Sequence, residues 1–209
     1  MHLQVAANPA SALVAPLPMQ GESRRHDGTP IPAGDAHPAS IAPAISRDHQ
    51  RACAALVRRM YTWRGYSASS PGLPASPNHV TFAAWQNGEV SATLSLSRDS
   101  GSGLLAEQLY PDEIPRLRHP GHVLCEATRL AVDPDCGDSR DLLLSLFRAT
   151  YEYARAVFDA TDIIIEVNPR HAGYYERVLG FVRVGKTRIC PRVDAPAVLL
   201  HRSLTIPRQ

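Results

Sequence analysis

The stretch TDIIIEVNPRHAGYYERVLGF, Thr161 to Phe181, decides the fold. Its first seven residues, Thr161 to Val167, form the most strand-like run in the chain. Three consecutive isoleucines predict burial on both faces, as at the centre of a sheet. The strand ends in Asn168, and a short helix around His171 to Leu179 follows, carrying Tyr174 and Tyr175 and ending at Gly180-Phe181. Two further strands are expected near Phe181 to Ile189 and Ala197 to Leu204.

Upstream, Asp138 or Ser139 caps a helix whose face carries Leu143, Phe147, Tyr151, Ala154 and Phe158. His122 to Val132 reads as a strand, and Pro111 to Leu117 as a short helix with Pro at its start and acids in its first turn. His79 to Trp85 and Val90 to Leu96 make a hairpin around the turn signal Asn87-Gly88. The first helix starts at Ser46 and is closed by Gly65. Its apolar face is Cys53, Leu56, Val57 and Met60, with Arg64 aligned at the end. The order is helix, hairpin, short helix, strand, helix, strand, helix, two strands. That order predicts an α+β domain with a mixed, mostly antiparallel central sheet flanked by helices.

Residues 1–45 are of another kind. They hold seven of the chain's 18 prolines, interleaved with alanine and without helix or strand periodicity. Such a segment cannot bury enough apolar surface to offset its ordering entropy. A disordered tail is therefore expected over 1–45, dispensable for folding and catalysis, with one domain over 46–209.

The chain of 209 residues is 44% hydrophobic and 20% charged, with a formal net charge of only +2, and its basic residues form no long run. Nucleic acid is not expected as a partner, because duplex binding needs a concentrated basic face. The four cysteines, Cys53, Cys125, Cys136 and Cys190, make no CxxC pair and no zinc-like spacing with histidine, so no metal site is expected. With neither a secretory signal nor a stretch apolar enough to span a membrane, the reading is a cytoplasmic protein with reduced, buried thiols and no integral membrane association.

The segment Asn168 to Phe181 resembles the last conserved segment of the GNAT acyltransferases, a superfamily in which a helical Tyr stands beside the thioester sulfur and can protonate the leaving thiolate. Tyr175, or failing that Tyr174, is the matching position. Tyr175 lies five residues before Gly180 rather than the usual four, which leaves the choice between them open. More of the chain takes part in a narrower resemblance: Leu104-Leu105-Ala106-Glu107, Tyr110-Pro111-Asp112-Glu113-Ile114, Cys125 to Asp133 (CEATRLAVD) and Cys190 to Ala197 (CPRVDAPA). Together, from roughly Ala52 to Leu204, they are similar to the N-acyl amino acid synthases, relatives of the acyl-homoserine-lactone (autoinducer) synthases. The resemblance implies a GNAT-like fold and an enzyme that moves a long-chain acyl group from acyl carrier protein to the α-amine of an amino acid.

Glu126 and Arg129 resemble the Glu-x-x-Arg element of the homoserine-lactone synthases. Residues three apart on a flat strand face opposite ways, so a bulge is needed to bring both to one site. Glu126 is the candidate general base and Tyr175 the candidate acid. Arg64, Arg129, Asn168 and Tyr174 are candidates for holding substrate, with Arg64 able to fork onto a carboxylate. The loop Pro134 to Arg140 has one glycine and two acids where CoA-dependent relatives carry a glycine-rich pyrophosphate cradle. Ser139 and Arg140 could hold a single phosphate, which suits the acyl-phosphopantetheine arm of a carrier protein better than acyl-CoA. No bound cofactor is expected. The alternatives are an acetyl-CoA-dependent N-acetyltransferase and a non-catalytic acyl- or partner-binding module. His122, His171 and Cys125 read as packing or surface residues.

Overall fold

The computed structural model describes residues 39–66, 76–136 and 139–205, with only the backbone of Ser139. Strand β1 (Ser40–Pro43) precedes helix α1 (Arg47–Trp63), followed by β2 (His79–Gln86), β3 (Glu89–Arg98), a 3-10 turn (Leu105–Gln108) and the one-turn helix α2 (Ile114–Leu117). Then come β4 (Leu124–Val132), α3 (Ser139–Ala156), β5 (Asp162–Val167), α4 (Pro169–Leu179), β6 (Val182–Arg183), β7 (Arg188–Cys190) and β8 (Ala195–Ser203). The sheet order is β1-β2-β3-β4-β5-β8-β6, with β7 also paired to β8. Only β4 and β5 run parallel, joined through α3; every other pair is antiparallel. This is the mixed, mostly antiparallel α+β sheet that the element order predicts.

Local chemistry explains the elements. The Ser46 side chain accepts the His49 N–H and caps α1. Asn87 and Gly88 both take positive φ, 52° and 82°, as the tight turn between β2 and β3 requires. Asn168 caps α4 by accepting the Arg170 N–H, and Gly180 closes it in the left-handed conformation.

Alternation along the strands feeds two cores. Ile163 and Ile165 join Phe82, Leu94, Leu96 and Ala127 under α3 and α4. Ile164 turns the other way, to Cys53, Leu56 and Met60 of α1 and to Tyr110. The three isoleucines of β5 are thus buried on both faces. The last expected strand but one, Phe181 to Ile189, is two short strands, β6 and β7, which pair with opposite ends of β8. Between them Gly185 lies so close to the Tyr110 ring that a Cβ there would come within 2.7 Å of it.

One boundary needs correction. The expected tail, 1–45, includes β1, which pairs Ser40 with Trp85 through Pro43 with Phe82 and buries Ala44. Its alanine-proline composition hid it, because an edge strand tolerates Pro where a central one does not. Residues 1–38 lie outside the described residues. A chain starting at Ala44 should lose about 2 kcal/mol of burial and pairing, lowering Tm by roughly 4–8 °C. One starting at Ala39 should melt with the full chain, and thermal denaturation of the two truncations checks this.

Candidate active site

The centre of the sheet splits. β4 and β5 pair from Leu124–Asp162 to Ala127–Ile165 and then part, leaving Thr128–Val132 and Glu166–Val167 without each other. On its other side β4 bulges: Thr93 faces Ala131 but Ser95 faces Thr128, so Arg129 and Leu130 together oppose Leu94. Arg129 takes φ 53°, a conformation unusual for a side chain with a Cβ, and its carbonyl accepts the Thr93 hydroxyl at 3.1 Å. Ala127 and Leu130 therefore both pack toward α3, while Arg129 acts on Tyr61 of α1. Glu126 and Arg129, three residues apart, come to the same face.

Glu126 is 1% exposed. Its Oε2 accepts the Leu105 N–H at 2.7 Å, and its Oε1 has no hydrogen-bond partner. Leu105 opens the 3-10 turn, where the first amides have no partner within the turn and can point at a carboxylate. Burial, helped by the nearby Glu166 carboxylate, pushes Glu126 up to about 8, against the pull of the Leu105 and Ala106 amides and of Arg192. Glu166 itself, 0% exposed on β5, receives both Arg192 Nη2 contacts at 2.8 Å. Arg192 also donates to the Leu105 carbonyl at 3.2 Å, so the turn that holds Glu126 is held in turn by the ion pair.

Cationic groups gather along the same face, where the C-terminus of α1 meets the start of α4. Arg64, the C-cap of α1, stacks on Trp63 at 5.2 Å, and its buried Nε has no hydrogen-bond partner. The Tyr66 hydroxyl is also buried and unpartnered. Burial, then the charges of Arg170 and Arg64, push His171 down to about 4. Tyr61 packs edge-on against Tyr66 at 5.6 Å and feels Arg129, which links this cluster to Glu126. Arg58 is exposed, and Arg59 pairs with Asp133 just past β4.

The opposite face is apolar. A cavity of about 50 Å³ lies between α3, α4 and the sheet, lined by Leu94, Ala127, Phe147, Ile163, Ile165 and Leu179 among others. Tyr175, 3% exposed, packs edge-on among Phe147, Tyr174 and Phe181, and burial raises its phenol. Tyr174 is half-buried, and its hydroxyl has no partner. Burial raises this phenol too, while Arg140 at the start of α3 pulls it down. Arg140 and Tyr174 thus share one end of the apolar face. Asn168 Oδ1 serves the cap of α4 and also meets Arg170 Nε at 3.3 Å. Gly137 and Asp138 lie outside the described residues.

Sequence reasoning missed Glu166 and Arg192. A carboxylate inside a strand buried on both faces was the available signal, since such a charge needs a partner. His122 has a specific partner after all: Asp162, at 2.7 Å, which also holds His201 at 2.7 Å. This cluster sits at the far end of β5 from the split. The four cysteines are free and buried, and among the described residues no group of three or more His, Cys, Asp or Glu could hold a metal. No described helix is long and apolar enough to cross a membrane.

Comparison with known proteins places this geometry. The family model described as N-acyl amino acid synthase FeeM matches residues 52–203. The structure of FeeM, an N-acyl amino acid synthase from uncultured soil microbes, superposes with a TM-score of 0.73 at 24% identity, covering 80% of this chain and 93% of that one. Escherichia coli ElaA (TM-score 0.60, 13% identity, 79% and 99% covered) shares the fold. So does an acyl-CoA N-acyltransferase from Pseudomonas aeruginosa (TM-score 0.56, 17% identity, 79% and 99% covered). A search of curated protein sequences gave no match. A GNAT fold split between β4 and β5, carrying a family match over residues 52–203, makes this an acyltransferase of the N-acyl amino acid synthase family.

Proposed function

We propose that the chain moves a long-chain acyl group from an acyl carrier protein thioester to the α-amine of an amino acid. The observation that carries this reading is the difference between the two faces beside the split. A buried carboxylate and a cationic cluster lie on the α1 face, and an apolar cavity lined in part by Tyr175 lies on the α3–α4 face, with the unpartnered Tyr174 hydroxyl on the same helix. An amino acid matches the first, with its carboxylate on Arg64, Tyr66 and the start of α4 and its amine toward Glu126. The first methylenes of an acyl chain match the second, each contributing about 0.8 kcal/mol on burial.

An α-amine has a pKa of about 7.7–8.0, and Glu126 sits at about 8, so proton transfer between them is nearly balanced. The neutral amine attacks the thioester carbonyl, and backbone N–H groups freed by the bulge around Arg129 stabilise the oxyanion. On collapse the C–S bond breaks. Tyr174 is the better placed acid for the thiolate, because its hydroxyl is unengaged and lies toward Arg140, whereas Tyr175 is enclosed by aromatic rings. Asn168 contributes by capping α4 and Arg129 by its charge beside Glu126.

For the donor, the acids of the Pro134 to Arg140 loop disfavour a pyrophosphate, while Ser139 and Arg140 at the start of α3 suit one phosphate. Exposed arginines such as Arg140 and Arg148 give an acidic carrier a surface to meet, although Arg148 is already shared with Glu152. Long-chain acyl carrier protein should therefore be used at least ~10-fold better than the matching acyl-CoA. Its advantage should shrink with salt, as the screening length falls below ~10 Å above 0.1 M. Parallel kinetics with both donors and mixed amino acids, with product mass as readout, test this. Equal use of acyl-CoA without a carrier-specific salt effect would overturn the donor assignment, and turnover with acetyl-CoA alone would return the chain to the ordinary acetyltransferases.

A further inference from the structure

A row of polar side chains crosses the α1 face of the sheet beneath the proposed site. In the ladder His79 of β2 stands opposite Ser97 of β3, and Ser97 stands opposite Glu126 of β4. Directly opposed residues share a face and bring their Cβ atoms to roughly 4.5–5.5 Å. The Ser97 hydroxyl is thus within reach of the unpartnered Glu126 Oε1, directly or through one water. His79 Nδ1 lies 2.9 Å from Ser97 Oγ, and His79 Nε2 lies 3.5 Å from the Thr81 hydroxyl, which bonds Ser95 at 2.8 Å. β3 presents Ser91, Thr93, Ser95 and Ser97 in succession to this face, an expensive choice for a central strand if packing were the only demand.

The row ends at an opening. β1 stops at Pro43 opposite Phe82, and after one further bond, from the Ala44 N–H to the Thr81 carbonyl, the chain turns away into α1. The first residues of β2 are left uncovered on that edge. A cleft of about 390 Å³ lies there, lined by Pro43, Gln50, Ser76, His79, Thr81 and Tyr153 among others. It has room for several waters and polar groups to hold them.

We propose that Ser97 and His79 form the route by which the proton taken by Glu126 leaves the enzyme, with the cleft beside β2 as its outlet. The inference rests on Glu126 being the base. An ammonium acceptor loses two protons as the N–C bond forms and the C–S bond breaks. One ends on the thiol sulfur and the other on Glu126, which must shed it before the next turnover. Glu126 is 1% exposed, and in the proposed function the substrates would occupy the split between β4 and β5 beside it. Ser97 accepts this proton as it passes its own to His79 Nδ1, and Nε2 releases one to water in the cleft. The ring is suited to this, because burial, with a smaller effect from Arg129, pushes His79 down to about 4 and keeps it neutral, able to accept at one nitrogen while donating at the other. His79 is a positioning and relay residue, since it acts through Glu126 and touches neither substrate.

The test uses the full chain with saturating donor and acceptor, comparing His79→Gln, His79→Ala, Ser97→Ala and Glu126→Gln. Expected are a kcat lowered ~10–100-fold in both His79 variants with KM unchanged, a larger solvent deuterium effect, and recovery of His79→Ala by added imidazole, which the neighbouring cleft can admit. Normal kcat in His79→Gln alongside an inactive Glu126→Gln would overturn the relay and leave the base standing. Normal kcat in both would remove the base and the relay together. A loss in His79→Ala that imidazole does not restore, without a changed isotope effect, would mean that His79 only packs, and would also overturn the proposal.

Discussion

Glu126→Gln should lower kcat by ~10²–10⁴-fold while leaving the protein folded. The amide keeps the shape of the side chain and an oxygen for the Leu105 N–H, but it cannot take a proton from the amine. Stability separates this from a structural role. Burial raises Glu126 from 4.5 to about 8, so the folded state favours the neutral acid. The carboxyl therefore adds no penalty below its unfolded pKa and destabilises progressively as pH rises toward 8. Gln removes that penalty, so the variant should match the parent in Tm at pH 5 and exceed it at pH 8. At saturating substrates, the parent's kcat should rise with pH through roughly 8, and the variant should lack that limb. A kcat unchanged by the substitution between pH 6 and 9 would take Glu126 out of the mechanism, and a Tm lowered at pH 8 would make the residue a structural partner of Arg129.

Arg192→Met should be the most destabilising single change among the site residues. It leaves Glu166, 0% exposed, without the guanidinium whose Nη2 donates to both its carboxylate oxygens. Breaking a buried pair from one side costs ~3–5 kcal/mol, which for a domain of this size lowers Tm by roughly 6–20 °C. The double variant Glu166→Gln with Arg192→Met should recover most of the loss, because it removes the stranded charge. Glu166→Gln alone should also move the kcat limb of Glu126 to lower pH, since the Glu166 carboxylate helps hold Glu126 up. Denaturant unfolding of the three variants, with pH–rate profiles, checks both effects. Equal stability of Arg192→Met and the parent would show that Glu166 finds relief elsewhere.

The fold was legible in the sequence wherever one local signal sufficed. Asn87-Gly88 declared its turn, Ser46 its cap, and Ile163 to Ile165 the buried centre of the sheet. β1 was not legible, because four residues with a proline become a strand only when β2 offers an edge. Nor were β6 and β7 separable, since the break between them falls where Gly185 lies against the Tyr110 ring from a distant part of the chain. In the site, the bulge that unites Glu126 and Arg129 was expected from their spacing. The pairing of Glu166 with Arg192 and the different surroundings of Tyr174 and Tyr175 were not readable, because both depend on which face of an element meets which neighbour.

The bond from the Leu105 amide to Glu126 makes that amide an internal reporter. It lies in a connecting turn, where backbone protons ordinarily exchange quickly with water, yet it donates to a carboxylate sealed from solvent. Its NMR shift and its exchange rate with deuterium therefore follow the charge on Glu126 rather than the mobility of the loop. A single backbone resonance can thus be watched while acceptor, donor or product is added, giving the protonation state of Glu126 in each complex without altering any side chain.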